Sequence, residues 1–213
     1  MNLEKIRKIA FEQMGEKSSH PGKEKGNKYF HGQRVAKIAL TLRKVVLPDG
    51  DGHDETLTVA AWFHDILNGA SSEHCSEGAE YTKNLLCDLI EPKKLDEIYE
   101  IIRVHDERDC DKTAFSDVMK IHQDADLLDH MGTMFVWEQF LYSGSHVLTP
   151  QDTAEWCNSR VNGDFGRYVG ELNFDISREI LADKRAFYEE FLHRFSAESV
   201  GEIYNFDEIV GQK

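Results

Sequence analysis

An all-α fold is predicted by three features of the 213-residue sequence: apolar residues recurring every three to four positions, few alternating β-branched runs, and only 4 prolines. No segment requires a strand.

Leu3, Ile6, Ile9 and Ala10 share one face of a first short helix, which runs out at Gly15. Residues 15–28 are polar and hold three glycines, Pro21 and a Ser-Ser-His run, so they read as a loop. A second helix is predicted from about residue 31 to 47, with Val35, Ile38, Ala39 and Leu42 on one face, stopped by Pro48-Asp49-Gly50-Asp51-Gly52. A third starts with Asp54 as its N-cap, runs through Leu57, Ala60, Ala61 and Phe63 to Ile66, and is closed by Asn68-Gly69. Helices follow near 76–89 and 94–104, then a long one over roughly 116–142. The remainder predicts a helix near 149–161, a glycine-rich loop holding Gly163, Gly166 and Gly170, and a helix over about 175–195. Trp137, Phe140, Trp156, Phe174, Phe187, Tyr188, Phe191 and Phe195 fit an aromatic cover packed on the preceding bundle. No repeat, low-complexity tract or linker divides the chain, and a chain of this length buries roughly 70% of its unfolded surface, so one domain over 1–213 is expected.

The charge balance restricts function. With 25 Lys+Arg against 39 Asp+Glu the net charge is −14, and the basic residues are nowhere concentrated. This argues against a nucleic-acid polymer or an anionic membrane as partner, because both draw on clustered cations. A phosphate-bearing substrate then needs local positive charge. No apolar stretch approaches the roughly 20 residues of a spanning helix, and MNLEKIRKIAFEQMGEK lacks a signal peptide's apolar region, so a cytoplasmic location is expected. Cys75, Cys87, Cys110 and Cys157 form no C-x-x-C pair and are expected to be reduced thiols.

The chemistry concentrates in the histidines. His64-Asp65 ends the apolar run AAWFHDI, where two polar side chains need partners: either a hydrogen-bonded helix-end pair or a metal site. His31 stands in FHGQRVAKIA and Asp126 in IHQDADLLDHMG, both beside apolar residues. A divalent ion that polarises a phosphoryl oxygen takes such a mixture of imidazoles and carboxylates from several helices.

The order His31, His64-Asp65, Asp126 resembles the H…HD…D signature of the HD superfamily of metal-dependent phosphohydrolases. HGQRV is similar to that family's H-x-x-R-V, AAWFHDI to its run into the HD pair, and QDADLLDHMG to the D-A-D-x-L-D-x-x-G of one bacterial subgroup. The likeness covers roughly 27–142, which it makes the metal-binding core, with 143–213 as a C-terminal helical extension. It implies an HD-type helical bundle in which His31, His64, Asp65 and Asp126 bind one divalent ion (Mn, Fe, Co, Ni, Zn or Mg). Asp65 is the residue on which metal retention and turnover together are expected to depend. Asp124 competes for the last position, but it lies two residues from Asp126 and so on nearly the opposite helix side. The segments around His74 and His105 are similar to those that supply a second ion in dinuclear members, with Asp65 bridging; the alternatives are a surface histidine and a helix-end histidine.

Arg34 follows His31 by three residues and so faces the same way, either to bind substrate phosphate or to hold Asp65 or Asp126. His122 and His130 flank Asp126 at i±4 and read as supports for ligands or as exposed side chains. Glu73 and Glu77 are candidates for a general acid, or merely solvated. Many HD enzymes carry a lysine or acidic residue shortly after the pair, whereas here Ile66-Leu67-Asn68-Gly69-Ala70 follows. The spacing in VNGDFGRYVG is too irregular for a phosphate loop.

The resulting expectation is hydrolysis of a phosphoester or phosphoanhydride in a small phosphorylated compound, a nucleotide foremost. ADLLDHMGT is similar to a helix of (p)ppGpp hydrolases, while His74 and His105 lean towards polyphosphate hydrolases. The competing classes are a non-catalytic nucleotide- or metal-binding regulator and a dinuclear iron oxygenase. A homo-oligomer is open, since an exposed apolar helix face reads like a core face.

Overall fold

The computed structural model describes residues 1–19, 22–67 and 73–211, and all regular structure among them is helical. The chain runs through α1 (Leu3–Met14), α2 (Asn27–Val46), a 3₁₀ turn (Asp51–His53), α3 (Asp54–Phe63), α4 (His74–Leu86), α5 (Pro92–Arg103), α6 (Asp117–Asp129), α7 (Thr133–Ser145), α8 (Pro150–Glu171), α9 (Asp175–Ser199) and a short α10 (Phe206–Gly211). The α10 turn has no counterpart in the sequence reading. No helix among the described residues is long and apolar enough to cross a membrane.

The centre of the bundle is α3, on which every residue from Thr56 to Phe63 is buried. A helix apolar on all sides must be enclosed by others. Val35, Ala39 and Leu42 of α2 and Ile121, Ala125 and Leu128 of α6 belong to the same core. Gly32 permits the tight approach of α2 to α3: a Cβ there would lie 2.6 Å from the Ala61 carbonyl oxygen and 3.1 Å from Trp62 Cα. His31 is the next residue, so this close crossing also sets the position of its imidazole.

Five expectations about the helices are corrected. The second helix starts at Asn27, not near 31, which places His31 well inside it. Asp54 is the first residue of α3 rather than its cap, because Arg43 holds its carboxylate at 2.7 and 2.8 Å. The third helix ends at Phe63, with His64 to Leu67 in a turn; its predicted closure at Asn68-Gly69 lies outside the described residues, as do His20 and Pro21 of the predicted loop.

The predicted long helix is two, α6 and α7, divided where Gly132 takes φ 72°, a conformation that costs side-chain-bearing residues strain. Finally, Gly163, Gly166 and Gly170 are not in a loop but within α8. A Thr149–Asp152 capping box and Pro150 start that helix, and Val161 and Phe165, one turn apart, are buried along it. The aromatic cover is only partial: Tyr188 is buried and stacks near Phe135 and Phe165, whereas Trp137, Phe140 and Phe187 face solvent. All four cysteines are thiols.

Candidate metal centre

Three helices bring His31 (α2), His64 and Asp65 (the turn after α3) and Asp126 (α6) to one buried point, none more than 6% exposed. His31 Nε2 lies 2.9 Å from Asp126 Oδ1 and 3.9 Å from Asp65 Oδ2. His64 Nε2 lies 3.5 Å from Asp126 Oδ1 and 3.7 Å from Asp65 Oδ2.

The tautomer of His64 follows from its other nitrogen. Nδ1 sits 2.9 Å from the Ala61 carbonyl oxygen, which only accepts, so Nδ1 carries the proton and the Nε2 lone pair points into the cluster. That buried Nε2 has no hydrogen-bond partner among the described residues, and two carboxylate oxygens, also acceptors, stand 3.5 and 3.7 Å from it. An acceptor facing acceptors is an arrangement that could hold a cation, and imidazoles mixed with carboxylates suit a divalent transition metal. His105 repeats the arrangement: Nδ1 donates to the Ile102 carbonyl at 2.7 Å, and Nε2 lies 3.8 Å from Asp65 Oδ1.

His74, at the start of α4, stands beside His105 with ring centroids 5.8 Å apart. Cys75 joins them, its sulfur 3.4 Å from His74 Nε2, and the ligand atoms of His74, Cys75 and His105 all lie within 4.8 Å of one another. A cavity of about 230 Å³ opens onto Asp65, His74, His105 and Asp126.

Cations balance the carboxylates. Lys28 Nζ is 2.5 Å from Asp65 Oδ2, and Arg108 donates to Asp126 Oδ2. Burial opposes ionisation of Asp65, but the Lys28 ammonium beside it holds it well below the usual carboxylate range. The same opposition is overcome at Asp126 by Arg108 and by the hydrogen bond to His31. Burial likewise disfavours a charged His31, yet its bonds to Asp126 and Asp129 raise it to about 9. Burial pushes His105 down to about 4 and His122 further below its ordinary value. The Cys75 thiol is raised to about 11 by burial and Asp106.

Of the residues singled out from sequence, His31, His64, Asp65, Asp126, His74 and His105 therefore meet around one cavity or its wall. Arg34 holds neither Asp65 nor Asp126. Its guanidinium forks onto Asp129 at 2.8–3.1 Å, and Asp129 in turn accepts from His31 Nδ1 at 2.7 Å. Asp124 points away, accepting from the Asn173 and Phe174 backbone N–H groups at 2.8 and 3.1 Å. His130 is nearer than a supporting role implies, with Nε2 3.6 Å from Asp126 Oδ1. His122 is fully buried, its ring 5.2 Å from that of His64. Glu73 and Glu77 are exposed.

Four participants escaped the sequence reading: Lys28, Arg108, Asp129 and Cys75. Only Asp129 had a signal, as the last acidic position of the D-A-D-x-L-D pattern already noted.

No protein-family profile matches the chain, and no curated protein matches it. Solved structures do. An HD-superfamily hydrolase from Bacillus thuringiensis is 21% identical with a TM-score of 0.63, over 95% of this chain and 100% of that one. A predicted HD-superfamily hydrolase from an uncultured Thermotogales bacterium is 23% identical with a TM-score of 0.61, over 92% of each chain. Bacillus subtilis YpgQ in complex with ADP is 18% identical with a TM-score of 0.66, over 96% of each. At these identities the likeness is one of fold: the chain has the all-α architecture of HD-superfamily hydrolases, as the sequence predicts.

Proposed function

We propose that the chain is a metal-dependent phosphohydrolase acting on a small phosphorylated compound of the nucleotide class. The observation that carries this reading is the buried His64 Nε2 lone pair, facing the acceptor oxygens of Asp65 and Asp126. His31, His64, Asp65 and Asp126 would hold one divalent ion, and Asp65 with His74 and His105 a second. When bound, such an ion polarises a phosphoryl oxygen and lowers the pKa of water at the site towards neutrality.

The chain's own residues supply the remaining requirements. Lys28 and Arg108 reach the site's cavity, as does Arg167, so three cations line an anion's approach in an otherwise acidic protein. His105, kept neutral by burial, presents a lone pair rather than a proton to that cavity. Arg34 and Asp129 orient His31. A nucleotide as substrate is supported by the ADP held by YpgQ, which shares the fold.

The test is metal content of protein purified without chelator, together with phosphate release from a panel of nucleotides and sugar phosphates with added manganese. One or two ions per chain, metal-dependent release, and joint loss of both in Asp65→Ala are expected. Retained turnover in Asp65→Ala would sink the assignment. Bound metal without release from any compound would shift the reading to a metal-binding regulator or a dinuclear iron oxygenase.

A further inference from the structure

His74 and Cys75 are consecutive residues at the start of α4, and His105 stands just beyond the end of α5, the helix packed against α4. Both histidines line the metal-centre cavity. A site made of imidazoles and carboxylates alone has no use for the half-buried thiol of Cys75. Its sulfur nevertheless stands 3.4 Å from His74 Nε2, and one ligand atom from each of His74, Cys75 and His105 lies within 4.8 Å of the other two. Around a tetrahedral ion with nitrogen at about 2.1 Å and sulfur at about 2.3 Å, neighbouring ligand atoms are separated by roughly 3.5 Å. The sulfur–nitrogen distance already matches such an edge, and the other separations leave a short movement to close.

Two further features prepare this cluster for a cation. His105 commits Nδ1–H to the Ile102 carbonyl oxygen at 2.7 Å, which leaves Nε2 as its ligating nitrogen. Asp65 Oδ1 lies 3.8 Å from that Nε2, while Lys28 takes Asp65 Oδ2 at 2.5 Å, so the carboxylate turns different oxygens to the ammonium and to the histidine. The competing account of the sulfur is a hydrogen bond from the Cys75 thiol to His74, in which the sulfur keeps its proton and takes no ion. Sulfur changes the character of a site: thiolate with imidazole selects zinc and similar soft ions, whereas carboxylate-rich sites also suit manganese and magnesium.

We propose that Cys75 is a metal ligand, and that with His74, His105 and a shared Asp65 it forms a sulfur-containing site for a thiophilic divalent ion such as zinc. The two ions at this centre then differ in chemistry, one held by imidazoles and carboxylates and the other also by sulfur. This deepens the metal-centre reading above and rests on it for the part played by Asp65. As the ion binds, the thiol proton passes to solvent and the sulfur coordinates as thiolate.

The experiment reads the metal–sulfur bond, so it does not depend on turnover. Metal-free protein is titrated with cobalt(II) and followed by absorption. A sulfur-to-cobalt charge-transfer band in the near ultraviolet is expected in the wild type. Cys75→Ser is expected to lose the band, whereas Cys87→Ser and Cys110→Ser, which replace exposed thiols, keep it. A second measurement uses the wild type alone: alkylation by iodoacetamide, located by mass spectrometry, is expected to slow at least about tenfold at Cys75 on adding zinc while Cys87 stays within about twofold, because a metal-bound sulfur is withheld from the reagent. Bound cobalt with no charge-transfer band in the wild type would overturn the proposal however the variants fold, and would leave the hydrolase reading standing. A band that survives in Cys75→Ser would overturn it as well. If the band depends on Cys75 but no compound releases phosphate, the hydrolase reading falls and the sulfur site remains.

Discussion

His31 Nδ1 donates to Asp129 Oδ2 at 2.7 Å, and the same carboxylate is gripped by both ends of the Arg34 guanidinium fork. The consequence falls on the far side of the ring. With Nδ1–H committed to Asp129, Nε2 is the nitrogen presented to Asp65 and Asp126. Partners of this kind fix both tautomer and ring orientation, and their removal weakens metal binding by roughly 10–100-fold. Asp129→Asn is therefore expected to lower metal affinity by that order without removing a ligand. Competition with a chromophoric chelator measures it; unchanged affinity would show that Asp129 only braces the fold.

His31 also predicts a pH dependence of the metal-free protein. Burial disfavours its charged form, but Asp126 and Asp129 raise it from 6.5 to about 9. Because the folded value exceeds the unfolded one, its contribution to stability is fully present below pH 6.5 and is lost as pH rises through about 9. The melting temperature of metal-free protein should fall across this window, and His31→Gln should flatten the fall. Metal binding displaces the Nε2 proton, so wild-type affinity should rise over the same interval. A pH-independent melting temperature and affinity would contradict this account.

The fold and the convergence of His31, His64, Asp65 and Asp126 were legible because both are written in local patterns. The apolar run into His64-Asp65 encodes a helix buried on all sides, and His31 and Asp126 likewise lie beside apolar residues. What was not legible depends on groups brought together from distant positions. Lys28 sits in what reads as the last residue of a polar loop, and Arg108 in the charged stretch HDERDC, so neither carries a periodic signal. Their partners Asp65 and Asp126 lie 37 and 18 residues away. Glycine misled twice in opposite directions: Gly132 divides a helix where the apolar pattern continues, while Gly163, Gly166 and Gly170 are accommodated within α8 by its capping box and buried face.

Lys28 and Arg108 make a further test. Each neutralises a buried carboxylate that the metal would also neutralise, so their effects on stability should depend on metal. Breaking a buried pair by removing one partner costs about 3–5 kcal/mol. Arg108→Met should accordingly destabilise the metal-free protein more than the metal-loaded one, enlarging the rise in melting temperature on adding manganese. Equal destabilisation in both states would mean that the metal does not share Asp126 with Arg108.

Gly32 connects packing to the site most directly. A methyl group there would lie 2.6 Å from the Ala61 oxygen, the carbonyl that also accepts from His64 Nδ1. The obstruction is backbone and has no rotamer to escape into, so α2 and α3 must separate. Overpacking of this kind costs about 1–3 kcal/mol. Separation would also shift His31 relative to His64, whose rings now stand 5.0 Å apart. Gly32→Ala is therefore expected to lower the melting temperature and, in the fraction that remains folded, to weaken metal binding, although residue 32 is not itself a ligand. Chemical denaturation together with metal titration of the folded protein separates the two effects. Full metal affinity in a destabilised Gly32→Ala would show that the spacing of α2 and α3 matters to the core alone.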